Sequence, residues 1–352
     1  VLQYVYRIHI KRMNNFMIEN TKKIELLSPV GDFECLQAAV QNGADSVYFG
    51  ATSFSARASA TNFSQADLKR AIIYAKTRGV NTHLTLNTLI KDSEFNEVFN
   101  LAREAYEYGI DAIIVQDLGL AMKLIKAFPD LPIHGSTQMT VHNLNGALEL
   151  QDLGFKRVVL ARELSTNEIE YICKNTNIEI ECFAHGALCI SYSGQCLFSS
   201  MLGGRSGNRG KCAQPCRKTY TLYENQTKIS ANAALMSMKD LCTIQEIDKL
   251  IEAGITSFKI EGRMKSAEYV YTTVKAYKKA IDAYYDKIPM MHIDDEVMKM
   301  KMVFNRQFTK GYLLNEKNSL FTNIDHVNHQ GIVIGKIIRC DSKKIEIKLS
   351  SD

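Results

Sequence analysis

Four cysteines fall within 28 residues, spaced Cys189-x6-Cys196-x15-Cys212-x3-Cys216 in a glycine-rich stretch. Thiolates are soft ligands that select iron–sulfur clusters, zinc or copper(I). Zinc sites usually pair their cysteines two to four residues apart. Only the second pair approaches that spacing, and the wider first pair suits a cluster larger than one ion. The competing reading is a set of buried free cysteines. Of nine cysteines in the chain, the rest look like packing residues: Cys35 and Cys173 on helices, Cys182 in a strand, Cys340 in a hairpin. Cys242 is expected to open a helix and is a spare ligand. The sequence shows no secretory signal, so metal or redox use is expected rather than a disulfide framework.

The charge around the cysteines is one-sided. Residues 203–218 hold Arg205, Arg209, Lys211, Arg217 and Lys218 and no acid. Two roles fit: stabilising thiolates or an anionic cluster, and binding a phosphate or carboxylate. Barrel folds often form anion sites from the loops after their last two strands. Arg263 and Lys265 follow the last strand here, which favours an anionic ligand.

These residues need a scaffold. From residue 24 a unit recurs: amphipathic helix, glycine, short apolar strand. The glycines are Gly43, Gly79, Gly109, Gly154 and Gly254, each placed to end a helix. Three further strands, at 24–29, 131–137 and 178–185, bring the number to eight. Eight strands alternating with helices predict an α/β fold, a closed (β/α)8 TIM-like barrel, over an open doubly wound sheet. Active sites in barrels sit where strands run into the following loops. Those positions are polar: Ser28, Gly50, Asn87, Gln116–Asp117, Ser136–Gln138, Arg162–Glu163, His185 and Glu261–Arg263. Taken singly, Ser28, Asp117 and Ser165 could simply cap helices. As a ring, the set exceeds what capping needs. The candidate catalytic residues are therefore Glu261, Arg263, His185, Asn87 and Gln138. Arg205, Arg209, Lys211, Arg217, Lys265 and Arg162 are the candidate substrate-binding residues.

The barrel is expected over 24–290, with a Cys-rich insertion at 186–235 after strand seven and a closing helix at 266–285. Long insertions at this end of a barrel are usually functional. Residues 291–352 read as an extension that begins a β-rich domain, with a hairpin from Gly331. Residues 1–23 read as a disordered basic lead-in: Arg7, Lys11, Arg12, Lys22 and Lys23 against Glu19. The start is expected at Met13 or Met17; the alternative is a basic arm for nucleic acid. Net charge is 43 − 38 = +5, which permits an anionic partner without requiring one. With 46% apolar and 23% charged residues, a disordered chain is excluded. No apolar run reaches the 18 or so residues of a membrane span.

The stretch E-C-F-A-H-G-A-L-C-I-S-Y-S-G-Q-C-L-F-S at 181–199 resembles the signature of peptidase family U-32, the collagenase-like proteases. Phe198 stands where that signature usually has an aliphatic residue. Four further stretches resemble the family: E-L-L-S-P-V-G-D at 25–32, G-N-R-G-K-C-A-Q-P-C-R at 207–217, F-K-I-E-G-R-M-K-S at 258–266, and F-N-R-Q-F-T-K-G-Y at 304–312. In the last, Gln307 replaces a usual glycine. The similarity covers about residues 24–320. It implies a barrel and a 4Fe–4S cluster on Cys189, Cys196, Cys212 and Cys216. It also implies a choice of activities. Some members are described as proteases that degrade collagen. Others serve RNA hydroxylation, at the tRNA wobble uridine or at a cytidine of 23S rRNA, with prephenate implicated as co-substrate. A third branch hydroxylates a quinone precursor. Larger members continue into a β-rich C-terminal region.

The residues weigh among these. The chain has neither an H-E-x-x-H zinc motif nor a G-x-S-x-G nucleophile elbow. An iron-bound thiolate is a poor free nucleophile. A protease could still use Glu261 or His185 with a metal. The cysteines, basic loop and polar ring suit redox chemistry on an anionic substrate better. The expectation is an iron–sulfur RNA hydroxylation protein of the cytoplasm. Its partners would be tRNA or rRNA, a small carboxylate and an unidentified electron donor, with no membrane. A collagenase-like peptidase is the alternative, and quinone-ring hydroxylation or a non-catalytic electron donor comes third.

Overall fold

The computed structural model describes residues 23–57, 60–316 and 321–350. Most of the expected lead-in, residues 1–22, lies outside them. Seven strands alternate with helices: β1 (Glu25–Pro29), α1 (Phe33–Gln41), β2 (Ser46–Gly50), α2 (Gln65–Lys76), β3 (Asn81–Leu86), α3 (Phe95–Glu107), β4 (Ala112–Val115), α4 (Leu118–Ala127), β5 (Ile133–Gly135), α5 (Leu144–Asp152), β6 (Arg157–Val159), α6 (Thr166–Asn175) and β7 (Glu179–Ala187). An insertion follows, with α7 (Phe198–Gly203) and the hairpin β8 (Tyr220–Glu224)–β9 (Thr227–Ala233). Then come β10 (Asp240–Cys242), α8 (Ile247–Glu252), β11 (Ser257–Ile260) and α9 (Ala267–Tyr285). Strands β1 to β7 pair in parallel in sequence order, and β11 pairs in parallel with both β1 and β7. The sheet closes on itself, a TIM-like (β/α)8 barrel. The five glycines of the repeat all take positive φ.

Two single-residue readings resolve as caps. Asp117 accepts from the backbone N–H of Leu120 at the start of α4, and Ser165 opens α6 with a reciprocal Glu168 bond. Cys242 does not open a helix. It ends β10, which runs antiparallel to the end of β7, Cys242 facing His185. That pairing joins segments more than fifty residues apart, and local sequence pattern does not register it.

The core does not stop at residue 290. Helix α10 (Ile293–Val303) contributes Met300 to the barrel's outer core, β12 (Phe308–Thr309) pairs in parallel with β10, and the segment after it adds Leu313 and Phe321. A last hairpin, β13 (Gly335–Cys340)–β14 (Ile345–Leu349), stands exposed.

Inward-facing residues fill the barrel in an unusual way. Leu27, Tyr48 and Ile114 form a small apolar cluster separate from the outer core. Below it lies charge. Arg157, buried, bonds Glu25 at 2.6 Å, Glu179 at 2.7 Å and Glu181 at 3.1 Å, and Lys259 bonds Glu181 at 2.7 Å. Burial works to raise the Glu25 carboxyl, but the Arg157 guanidinium outweighs it and holds the group down at about 2. Burial keeps His83 and His134 below their ordinary value and so uncharged near neutrality.

Removing one partner of a buried ion network strands the others. Arg157→Ala is expected to lower stability by about 3–5 kcal/mol in denaturant unfolding. Glu25 ionises at about 2 against an ordinary 4.5. Its share of stability is complete above that ordinary value and disappears as pH falls through the depressed one. Acid unfolding of wild type should therefore steepen across that window, and less so in Glu25→Gln.

A cationic cavity lined by four cysteines

At the C-terminal mouth of the barrel the Cys-rich insertion folds over the strand ends and encloses a cavity of about 150 Å³. Cys189, Cys196, Cys212 and Cys216 all line it. The insertion is stitched to the rim. Thr140 Oγ1 donates to Ser193 O at 2.7 Å, and the Arg162 backbone N–H donates to Ser193 Oγ at 3.2 Å. Ser193 N–H in turn donates to Glu163 Oε1 at 3.2 Å. Gly194 rests on the backbone of Gln138: a Cβ there would stand 2.4 Å from Gln138 O.

Cations stand in its walls among apolar and polar side chains. Glu261, at the end of β11, accepts from Arg57 Nη2 at 2.8 Å and Nε at 3.1 Å. Burial alone would raise its carboxyl, yet Arg57, Arg162 and Arg263 together hold it down at about 2. Arg162 lies over the Phe183 ring, 4.1 Å from its centroid, and its Nε is buried without a partner among the described residues. Arg263 is buried; it donates from Nη1 to Thr85 Oγ1 at 2.9 Å and from Nη2 to Ser55 Oγ at 2.6 Å. Three guanidiniums against one carboxylate leave the mouth positive. Asn87 and Gln138 line the same cavity, though Asn87 Oδ1 is committed to the Ala56 N–H at 3.0 Å.

Arg57 belongs to the loop after β2, which carries no recognisable motif, and sequence reasoning missed it. The signal available was position alone: Arg57 follows the polar end of a barrel strand.

Several expected site residues stand elsewhere. His185 points outward, packed against Tyr277, Tyr269 and Phe308, and burial lowers it to about 4. The register of β11 against β7 slips between Lys259 and Ile260. A one-residue slip turns a side chain to the other face. Lys265 lies over the Phe304 ring, 2.9 Å from its centroid. Arg209 pairs with Glu94 and the Leu89 carbonyl, tying the insertion to the loop after β3. Arg205 Nε donates to Lys211 O at 3.1 Å, and both residues are exposed on the insertion. Arg217 bonds backbone and Ser237 rather than facing the cavity. The cations that line the cavity are thus Arg57, Arg162, Arg263 and the Glu181-paired Lys259, and most of the basic loop is structural or surface charge.

A family model for peptidase family U32 matches residues 31–323. The chain belongs to that family. It is similar to a 23S rRNA 5-hydroxycytidine synthase of Escherichia coli, 35% identical over 95% of this chain and 52% of that one. It is 37% identical to a collagenase of Porphyromonas gingivalis over 92% of this chain and 82% of that one. It is 39% identical to a tRNA hydroxylation protein of Bacillus subtilis over 75% and 64%. The chain thus spans about half the length of the rRNA relative. Among the described residues no helix is long and apolar enough to cross a membrane.

Which group the cysteines suit follows from their arrangement. Among the described residues no three His, Cys, Asp or Glu side chains converge as a single metal ion requires. Yet the four thiols lie within electrostatic reach of one another. Burial raises the Cys189 and Cys216 thiols, and the neighbouring cysteines add to it. Four soft donors around a common cavity fit a polynuclear cluster.

Gly50 faces Arg263. A methyl there would collide with Arg263 Nη1 and stand 2.8 Å from both Asn62 Oδ1 and Ser55 Oγ. Gly50→Ala is expected to push Arg263 off Thr85 and Ser55 and cost about 1–3 kcal/mol as overpacking. The check is the denaturant midpoint; an unchanged midpoint would mean that Arg263 is not fixed there.

Proposed function

We propose that this U32 protein is an iron–sulfur-dependent RNA hydroxylation protein, acting on a tRNA or on 23S rRNA. One observation carries the reading: the four cysteines share a single cavity with the cationic barrel mouth. Cys189, Cys196, Cys212 and Cys216 would hold a 4Fe–4S cluster, which supplies one-electron transfer when bound. Replacing a base C–H by C–OH with oxygen from water releases two protons and two electrons, which a one-electron centre beside the cavity would pass singly to an external electron acceptor. Arg57 and Arg162 would bind the anionic groups: an RNA phosphate, or the carboxylate of a small co-substrate such as prephenate. A guanidinium meets either with two parallel hydrogen bonds. The stacked Arg162–Phe183 pair offers a flat surface for a base. Two close relatives named for rRNA and tRNA hydroxylation support the same reading.

The peptidase alternative draws on the collagenase-named relative. Its candidate groups are poorly suited. Glu261 ionises at about 2, far from the range where a carboxylate takes protons well near neutrality. His185 faces away from the cavity. Glu261 is better read as the group that fixes Arg57.

Anaerobically purified protein is expected to be brown. Cys212→Ala or Cys216→Ala should bleach it, and Cys340→Ala, far along the chain in the exposed hairpin, should not. Stoichiometric zinc in a colourless protein would defeat the cluster. For function, the gene is deleted in a strain lacking any paralogue, and nucleosides from tRNA and rRNA are analysed by mass spectrometry. One hydroxylated nucleoside should vanish, return with wild type and stay absent with Cys189→Ala. Unchanged nucleosides, together with gelatin cleavage by cluster-free protein, would put the peptidase in its place.

A further inference from the structure

Arg217 directly follows Cys216, and its guanidinium reaches back under the insertion. Nη2 donates to Leu188 O at 2.9 Å, the carbonyl just before Cys189. Nη1 donates to Ser237 Oγ at 3.0 Å and to the Met238 carbonyl. All three acceptors are neutral. The acid in this region, Asp240, is already taken: Arg306 bonds it through Nη2 at 2.5 Å and Nε at 3.1 Å. Among the described residues Arg217 forms no ion pair.

The other cations of the loop differ. Arg209 is paired with Glu94. Arg205, Lys211 and Lys218 are exposed, where water and salt screen them. Among the described cations of this loop, Arg217 is therefore the half-buried one that no acid pairs. A positive charge removed from water without a counter-ion is unfavourable, and an anionic centre on Cys189 and Cys216 would supply the missing charge. A fixed cation beside a redox centre favours its reduced form, which carries one more negative charge.

We infer that Arg217 is the fixed counter-charge of the four-cysteine centre, a positioning residue that raises the centre's reduction potential. The inference rests on the proposed reading of that centre as redox-active.

The test is an anaerobic redox titration of the full chain, followed by electron paramagnetic resonance, with iron content measured alongside. Wild type, Arg217→Gln, Arg217→Lys and Ser237→Ala are compared. The Gln variant should keep its iron and line shape while its equilibrium constant for reduction falls at least tenfold, 59 mV for a one-electron couple. The Lys variant keeps the charge and should fall much less. Ser237→Ala removes one acceptor and no charge, and should match wild type. Iron lost from the Gln variant but retained by the Lys variant would also support the charge role. A Gln variant with full iron and a wild-type potential would overturn the inference, as would equal loss of iron from the Gln and Lys variants; either makes Arg217 a clamp. Absence of iron from wild type would instead defeat the reading of the centre itself.

Discussion

Among the described residues that line the cavity, one carboxylate, Glu261, faces three guanidiniums, and the site is built around that imbalance. Bonded by Arg57 and within reach of Arg162 and Arg263, it stays ionised far below its ordinary range. Because one acid cannot neutralise three cations, the cavity remains positive. Each cation is then held by a different device. Arg263 leans on Ser55 and Thr85 in the space left by Gly50. Arg162 lies on Phe183. Arg57 is fixed by Glu261 itself. Donors held this way lose little freedom when an anion arrives, which is the basis of preorganised binding.

The insertion completes the site by turning four thiols toward those cations. Its bonds to Thr140, Arg162, Glu163 and Glu94 come from the loops after β3, β5 and β6, so closure of the loop depends on the barrel having formed. Charge inside the barrel continues downward through Lys259 and Glu181 to Arg157 and its carboxylates. A barrel interior is more often packed with branched apolar residues. Here Leu27, Tyr48 and Ile114 form only a small apolar cluster, and Lys259, which lines the cavity, joins its cations to the charged floor.

The eight strands were legible because helix, glycine and apolar run repeat with a local period, and each signal acts over only a few residues. The four cysteines were legible because soft ligands in one short, glycine-rich segment are chemically unusual. What escaped the sequence was set by distant contacts. His185 turns outward because β7 slips register against β11 and pairs onward with β10, where Gly186 takes positive φ and a Cβ would stand only 2.5 Å from Glu261 O. Cys242 sits in a strand for the same reason. Arg57 carries no motif; only its partner Glu261, 204 residues away in the chain, marks it. Arg209 and Arg217 looked like ligand-binding cations because a run of positive charge does not show which members find a partner.

As proposed, Cys189, Cys196, Cys212 and Cys216 would hold one polynuclear iron centre at the edge of the cationic cavity. Anomalous diffraction at the iron edge, from crystals grown without oxygen, tests it most directly. The account predicts a single compact iron peak bounded by those four sulfurs and open toward Arg162. Iron bound elsewhere, a single zinc ion on a subset of the cysteines, or a disulfide between any two of the four would contradict it.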